Sequence, residues 1–362
     1  MIAPVTLLWY ACDLRTGLIL EELRSLRPSG AIGRRLGTST TANVDLVLAG
    51  APASWEGATI PGRTMLVAVD AAMDLPVWAG LVLTRTGGTA ENLSLGLATP
   101  QAYLDRRYTG AYSVAVAIDQ AVILTGLGAN LLVNAPNFIF DAPAAGVTLD
   151  SYAVLDGDDK TILSTWQEIM GQGGIEYTID PVWQDAAHTT VQLVIRIRPQ
   201  IGSQSATPEA VFDLPGNISD YALTESYEAG KGATDVQANG NGQGATRLVS
   251  AVHTATTLNA AGYPEWVYRF TPAAGLDDPV QLDAHAAEAL TQMSTGANTW
   301  TVTAVASQSP RVGSDWGLGD SVRLQIATSP RHPNGADMVA RAYGWDLDAA
   351  ANKVTPILIE GS

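Results

Sequence analysis

The chain has a single cysteine, Cys12, and only three lysines, Lys160, Lys231 and Lys353, among its 362 residues. One cysteine excludes an intrachain disulfide and a cysteine-based structural zinc cluster. Three lysines against a net charge of −16 argue against a surface that grips nucleic acid or anionic membrane, because phosphate binding rests on clustered Lys and Arg. Such acidity suits a surface that nucleic acid must pass without sticking, and it equally serves plain solubility. No apolar run approaches the ~20 residues of a membrane span. Trp9-Tyr10-Ala11-Cys12 has the outline of a lipoprotein cleavage box, but bulky Trp9 and the missing basic leading region argue against an export signal.

What is present is glycine (35), a moderate 19 prolines, and an abundance of Ala, Thr and Val, with charge held to 15 %. That is a composition of strands and turns with a few helices, and the length fits two or three domains. Residues 1–110 read as all-β. Val5, Leu7 and Trp9 alternate, a hairpin turns at Arg15-Thr16-Gly17, and further runs follow at Val44–Leu48, Met65–Val69, Val77–Leu83 and Leu93–Leu97. Turn signals at ~10-residue intervals point to a barrel or sandwich.

Residues 111–200 change character to α+β. Ser113 is placed to cap a helix carrying Val114, Ile118, Ala121 and Val122, with Gly126 and Gly128 ending it. Asp158 or Asp159 is placed to cap a second helix, in which Ile162, Leu163, Trp166, Ile169 and Met170 recur at helical spacing before Gly171, Gly173 and Gly174. Strands around Ile175–Ile179 and Val191–Ile197 follow, and Pro199 closes the unit.

Residues 201–250 and 301–362 read as a second β domain, interrupted by an α+β segment at 251–300. Pro215-Gly216-Asn217 is a turn, Val236 and Ala238 lie on a strand, and Gly240, Gly242 and Gly244 make a bend before Leu248 and Val249. Asp278 as cap and Pro279 in the first turn begin a helix with Leu282, Ala286, Ala289, Leu290 and Met293 on one face. Strands are expected at Trp300–Ala304, Val322–Ile326, Val339–Trp345 and Val354–Ile359.

Several phrases in this order resemble one family. They are YACDLRTGLILEEL from Tyr10, IPGRTMLVAV from Ile60, VWAGLVLTRT from Val77, LSLGLATPQAYLDRR from Leu93, PGNI from Pro215, ANGNGQG from Ala238, and LGDSVRLQI and ARAYGWDLD near the end. The set is similar to the minor tail proteins of phages with long non-contractile tails (siphophages), of the actinobacteriophage type, which form the tail-tip baseplate hub. The resemblance implies a mainly β chain with α+β insertions, in which two tube-like β-barrel domains sit beside smaller α+β domains. It further implies a homotrimeric ring continuing the tail tube. The partners implied are a distal tail or tail-tube protein, the tape measure protein and other minor tail or receptor-binding proteins, with phage DNA only in transit. The location implied is the virion tail tip, after synthesis in the host cytoplasm.

No residue is assigned a catalytic, cofactor-binding or metal-binding role. His188, His253, His285 and His332 lack close ligand spacing, and His285 with Glu288 reads as a surface pair on a helix. Asp156, Asp158 and Asp159 lack the glycine and distal glutamate of a calcium loop, so a turn before a helix explains them better. The glycines of residues 239–244 have no following Gly-Lys-Ser/Thr and serve a bend rather than a phosphate. Asp277, Asp278, Asp283, Asp315 and Asp320 flank Gly or Pro or start a helix, and no two can be placed at glycosidase separation from sequence. Nine tryptophans leave open a carbohydrate-binding receptor protein, although core packing accounts better for most of them. A tail-borne cell-wall hydrolase is the weakest of the three readings.

Overall fold

The computed structural model describes residues 4–170, 174–240, 242, 244–272 and 278–360. The chain divides into two compact units: residues 1–167, 174–221 and 301–362 form the first, and 168–173 with 222–300 the second.

The first unit opens with a seven-stranded sheet in the order Ile19–Glu22, Leu7–Asp13, Thr64–Asp70, Leu75–Thr86, Asn92–Ala98, Thr41–Val47, Leu26–Pro28. All neighbours are antiparallel. The expected hairpin joins the first two strands in sequence, with Gly17 at φ 73° where a side chain would be strained. Thr41–Val47 and Asn92–Ala98 alternate buried and exposed over most of their length, the mark of a sheet with one wet face. Thr64–Asp70 is buried at every position, so both its faces are covered. Gly80 has a specific task. A Cβ there would lie 2.2 Å from the Trp78 ring, which folds over its own strand and donates its indole N–H to the Gly33 carbonyl at 3.0 Å.

The middle of the chain forms a small α+β layer. Its sheet runs Phe138–Asp141, Val191–Arg198, Glu176–Trp183, the first pair parallel and the second antiparallel. The antiparallel pair was legible from alternation; the parallel strand was not. Trp166, fully buried on helix Ile162–Met170, meets Tyr177 edge-on at 4.9 Å and donates to the Leu124 carbonyl at 3.1 Å. One side chain thereby joins both helices to the sheet.

Two expectations here are corrected. Ser113 caps nothing: it lies in strand Tyr112–Val114, and the helix is Gln120–Leu127 with Asp119 accepting the Ala121 N–H at 2.8 Å. The run Val114 to Ile118 fits either period, and pairing of Tyr112–Val114 with Tyr152–Val154 decides for strand. Neither Asp158 nor Asp159 caps the second helix. Thr161 does, its hydroxyl accepting the Ser164 N–H at 3.2 Å, while Asp158 turns back to the Leu155 N–H at 2.8 Å. Gly171 and Gly173, expected to stop this helix, lie outside the described residues.

A second seven-stranded sheet lies mostly in the first unit. Its order is Val211–Leu214, Ser321–Ile326, Ala336–Asp348, Lys353–Glu360, Ala297–Val305, Ile218–Ser226, and Ile32–Arg35 pairs additionally with Ala336–Asp348. That seventh strand comes from the N-terminal segment, with Gly344 opposite Arg35 and Leu347 opposite Ile32. Gly33 makes the approach feasible, since a Cβ would fall 2.0 Å from an Asp346 carboxylate oxygen.

The second unit, described by itself, is a three-stranded sheet in the order His253–Thr254, Asp235–Ala238, Val267–Phe270. Helix Pro279–Met293 supplies Leu282, Ala286 and Met293 to a core shared with Ala233, Val236 and Ala238. Asp278 caps that helix as expected, accepting the Val280 N–H at 2.9 Å. Strands of this sheet lie on both sides of residue 250, so the inserted segment begins near 222 rather than at 251. No helix among the described residues is long and apolar enough to cross a membrane.

Candidate functional site

In the first unit, the edge of the α+β layer faces strand Ile32–Arg35 across a cavity of about 560 Å³, lined by Arg34, Asp180, Arg196, Arg198 and Trp345 among others. Three strands deliver its charges: Ile32–Arg35 carries Arg34, Glu176–Trp183 carries Asp180, and Val191–Arg198 carries Arg196 and Arg198. Arg34 donates to the Thr178 hydroxyl at 3.0 Å, to the Ile179 carbonyl at 2.8 Å and to Asp180. Arg196 bridges Asp180 at 2.9 Å and Asp141 at 2.7 Å, and Arg198 reaches Asp141 at 2.8 Å. The Arg198 hydrogen bond, against the opposing effect of burial, holds the Asp141 carboxyl below the usual carboxylate range.

A second tie lies nearby. Arg341 forks onto Glu176, one arm at 2.6 Å, and also donates to the carbonyls of Ile201 at 2.9 Å and Gly319 at 3.1 Å. Arg311 grips Asp70 at 2.6 Å, and that carboxylate side chain is only 6 % exposed. Arg35 pairs with Asp346 at 2.8 Å. Each guanidinium is matched to a carboxylate: Arg34 and Arg341 fasten the second large sheet to the α+β layer, and Arg311 fastens the loop after Ala297–Val305 to the first sheet. This seam offers no uncommitted acid or base to a substrate.

The residues singled out in the sequence are dispersed. His188 stacks on Trp183 at 4.6 Å and pairs with Asp74 at 2.9 Å; His253 meets Asp283 at 3.0 Å; His332 meets the Tyr221 hydroxyl at 2.7 Å. Burial lowers the His285 pKa. Its expected neighbour Glu288 accepts instead from Gln292 at 2.9 Å. Asp315 accepts from the Arg311 N–H and the Ser309 hydroxyl, and Asp320 from the N–H groups of Gly317 and Ser203, so both carboxylates organise loops. Asp277 lies outside the described residues. Asp156 to Asp158 form a single turn, as read. Gly242 and Gly244 take φ 100° and 56° in a bend between Asn239 and Val249, which bridge to each other. Among the described residues no three His, Cys, Asp or Glu converge as metal ligands. Cys12 is fully buried, and burial pushes its thiol up to about 12.

Sequence reasoning missed the charged seam. Its arginines lie at 34, 35, 196, 198, 311 and 341, and no spacing rule links them. The only signal was Arg at positions that alternate with buried apolar residues, as at Arg196, Arg198 and Arg341.

Compared with protein-family models and with curated proteins, the sequence matches none. Solved structures do match, over nearly the full length of both chains. A tail protein from Neisseria meningitidis superposes with a TM-score of 0.65 at 14 % identity, covering 99 % of this chain and 97 % of that one. The 43 kDa tail protein of prophage MuSo2 from Shewanella oneidensis gives 0.61 at 11 % identity, with 98 % and 97 % covered. Prophage tail protein gp18 from Listeria monocytogenes gives 0.53 at 8 % identity, with 98 % and 95 % covered. The fold is that of these tail proteins. At such identities the likeness lies in the path of the backbone, and this chain's side chains carry their own argument.

Proposed function

We propose that the chain is a structural subunit of a phage tail tip, the baseplate hub of a long non-contractile tail. The single observation that carries this reading is the shared fold over at least 97 % of both this chain and two proteins named as tail proteins. A non-enzymatic role fits those neighbours. In the proposal three copies form a ring in which each chain contributes two tube-like β domains, giving a six-fold-like continuation of the tail tube. The two seven-stranded sheets are the proposed tube-like domains, one drawn from residues 1–110 and the other mainly from the last third of the chain. The α+β layer of 111–200 and the inserted unit are the smaller domains.

The ties of Arg341 and Arg34 to the α+β layer, and of Arg311 to Asp70 on the first sheet, support this role, because a ring subunit must hold its layers at a fixed angle. Leu20 on edge strand Ile19–Glu22, with Val339 and Tyr343 on the outer face of Ala336–Asp348, are exposed apolar positions suited to neighbours in the ring. The distal tail or tube protein, the tape measure protein and other minor tail or receptor-binding proteins are the proposed further contacts. With a net charge of −16, acidic side chains facing the lumen keep DNA moving during ejection.

The test is light scattering and negative-stain imaging of the purified chain, with antibody labelling of intact particles. Three chains per ring and label at the tail tip are expected. A monomer at high concentration, with no label on tails, would overturn the reading. A neutral or basic lumen in the assembled ring removes the DNA-passage part alone.

A further inference from the structure

The tryptophans divide sharply by environment. Trp9, Trp78, Trp166, Trp300, Trp316 and Trp345 are at most 4 % exposed. Trp55 is covered by the Arg85 guanidinium at 5.7 Å, and Trp183 by His188. Trp266 alone among the nine is 50 % exposed, and it lies in the second unit beside a cavity of about 580 Å³. That volume falls within the range of small-molecule sites.

The exposed ring has a rigid base. The Trp266 N–H donates to the Thr234 hydroxyl at 2.7 Å, and its carbonyl accepts the N–H groups of Thr234 and Asp235 at 2.9 and 3.1 Å. Thr234 is fully buried and donates in turn to Asp235 at 2.7 Å. A backbone fixed this firmly beneath an exposed indole makes a preorganised platform rather than a loose surface residue. Tyr227 stands edge-on to Trp266 at 6.0 Å and 70°, and Tyr263, 47 % exposed, lies 5.9 Å from Tyr227. Tyr227 in turn packs down on Gly232, where a Cβ would come within 2.4 Å of its ring. Its hydroxyl is shielded from solvent and has no hydrogen-bond partner among the described residues.

We propose that this cavity binds an uncharged saccharide, with Trp266 as the stacking platform and Tyr227 as the side wall. The axial C–H faces of a pyranose match an aromatic face, while hydroxyls need acceptors and donors at the rim. Thr224, Glu225, Ser226 and Glu228 lie on the cavity wall. Glu228 is held by Lys231 at 2.6 Å, so its charge is already matched, while Glu225 adds a second carboxylate to the wall. Anionic sugars meet an acidic chain and, in the cavity lining, no cationic side chain. The site goes beyond the ring reading and is independent of it.

The experiment uses the full chain on an array of neutral, N-acetylated, sialylated and sulfated oligosaccharides. The best neutral hit is then titrated by calorimetry and by tryptophan fluorescence. Neutral or N-acetylated hits are expected, with affinity falling about tenfold or more in Trp266→Ala and largely kept in Trp266→Phe, which retains an aromatic face. The fluorescence response should vanish in Trp266→Phe although binding remains. Unchanged circular dichroism of both variants shows that folding is intact, and if the alanine variant unfolds, the phenylalanine variant still reads the fluorescence test. No neutral hit, hits confined to sialylated or sulfated sugars, or equal affinity in Trp266→Ala would overturn the proposal. So would loss of ring assembly in Trp266→Ala without any glycan signal, which assigns the patch to a protein contact.

Discussion

Replacing Arg341 is the sharpest test of the seam that joins the second large sheet to the α+β layer. Its side chain is 11 % exposed and that of Glu176 is 22 % exposed. The guanidinium serves two carboxylate oxygens and the carbonyls of Ile201 and Gly319 at once. Arg341→Met keeps the length of the side chain but leaves Glu176 with the Ile201 N–H at 2.8 Å as its remaining contact. Breaking a buried pair from one side costs ~3–5 kcal/mol, because the partner charge stays desolvated. Glu176 retains some water access, which discounts the figure to about 3 kcal/mol. Arg341→Lys restores the charge but not the planar fork, so it should recover only part, on the order of 1 kcal/mol. Glu176→Gln in the Met background should cost little more, since the charge left stranded is then gone. Urea titration of the four proteins, followed by tryptophan fluorescence, measures this. A loss under 1 kcal/mol in Arg341→Met, or a lysine variant equal to the parent, would refute the reasoning.

Gly80→Ala forces a methyl into the Trp78 ring, and a loss of about 2–3 kcal/mol with altered near-ultraviolet circular dichroism is expected. Asp278→Ala removes the cap of Pro279–Met293 and should cost about 1 kcal/mol, seen as faster amide exchange in the first turn of that helix. Asp141 has a depressed folded pKa, so its pair with Arg198 and Arg196 stabilises fully above the unfolded value near ~3.9 and is lost as pH falls through the folded value. Asp141→Asn should therefore lower the urea midpoint at pH 7 and converge on the parent at strongly acidic pH; a gap that persists in acid would contradict the assignment.

The two kinds of information separate cleanly along this chain. Alternation at Thr41–Val47, Asn92–Ala98 and Ser321–Ile326, the Arg15–Gly17 hairpin and the Asp278-Pro279 helix start were all legible, because each depends on which face of a residue's own element is wet. The burial of six tryptophans followed from the same logic. Helix starts near Ser113 and Asp158 were misplaced where two polar residues compete for one cap and a strand partner outside the local window settles the matter.

Residue types and their order thus determined the class, β sheets with α+β additions, and the acidity that any partner must tolerate. Only the tertiary structure decided that Ile32–Arg35 pairs with a strand some three hundred residues later. It alone brought Phe138–Asp141 and Val267–Phe270 into parallel pairings, and it alone left Trp266 uncovered while the other rings were packed or capped. The reason is physical. Side-chain period is a local property of the backbone, whereas the choice of a distant neighbour rests on shape at single points, such as the missing Cβ of Gly33 against Asp346.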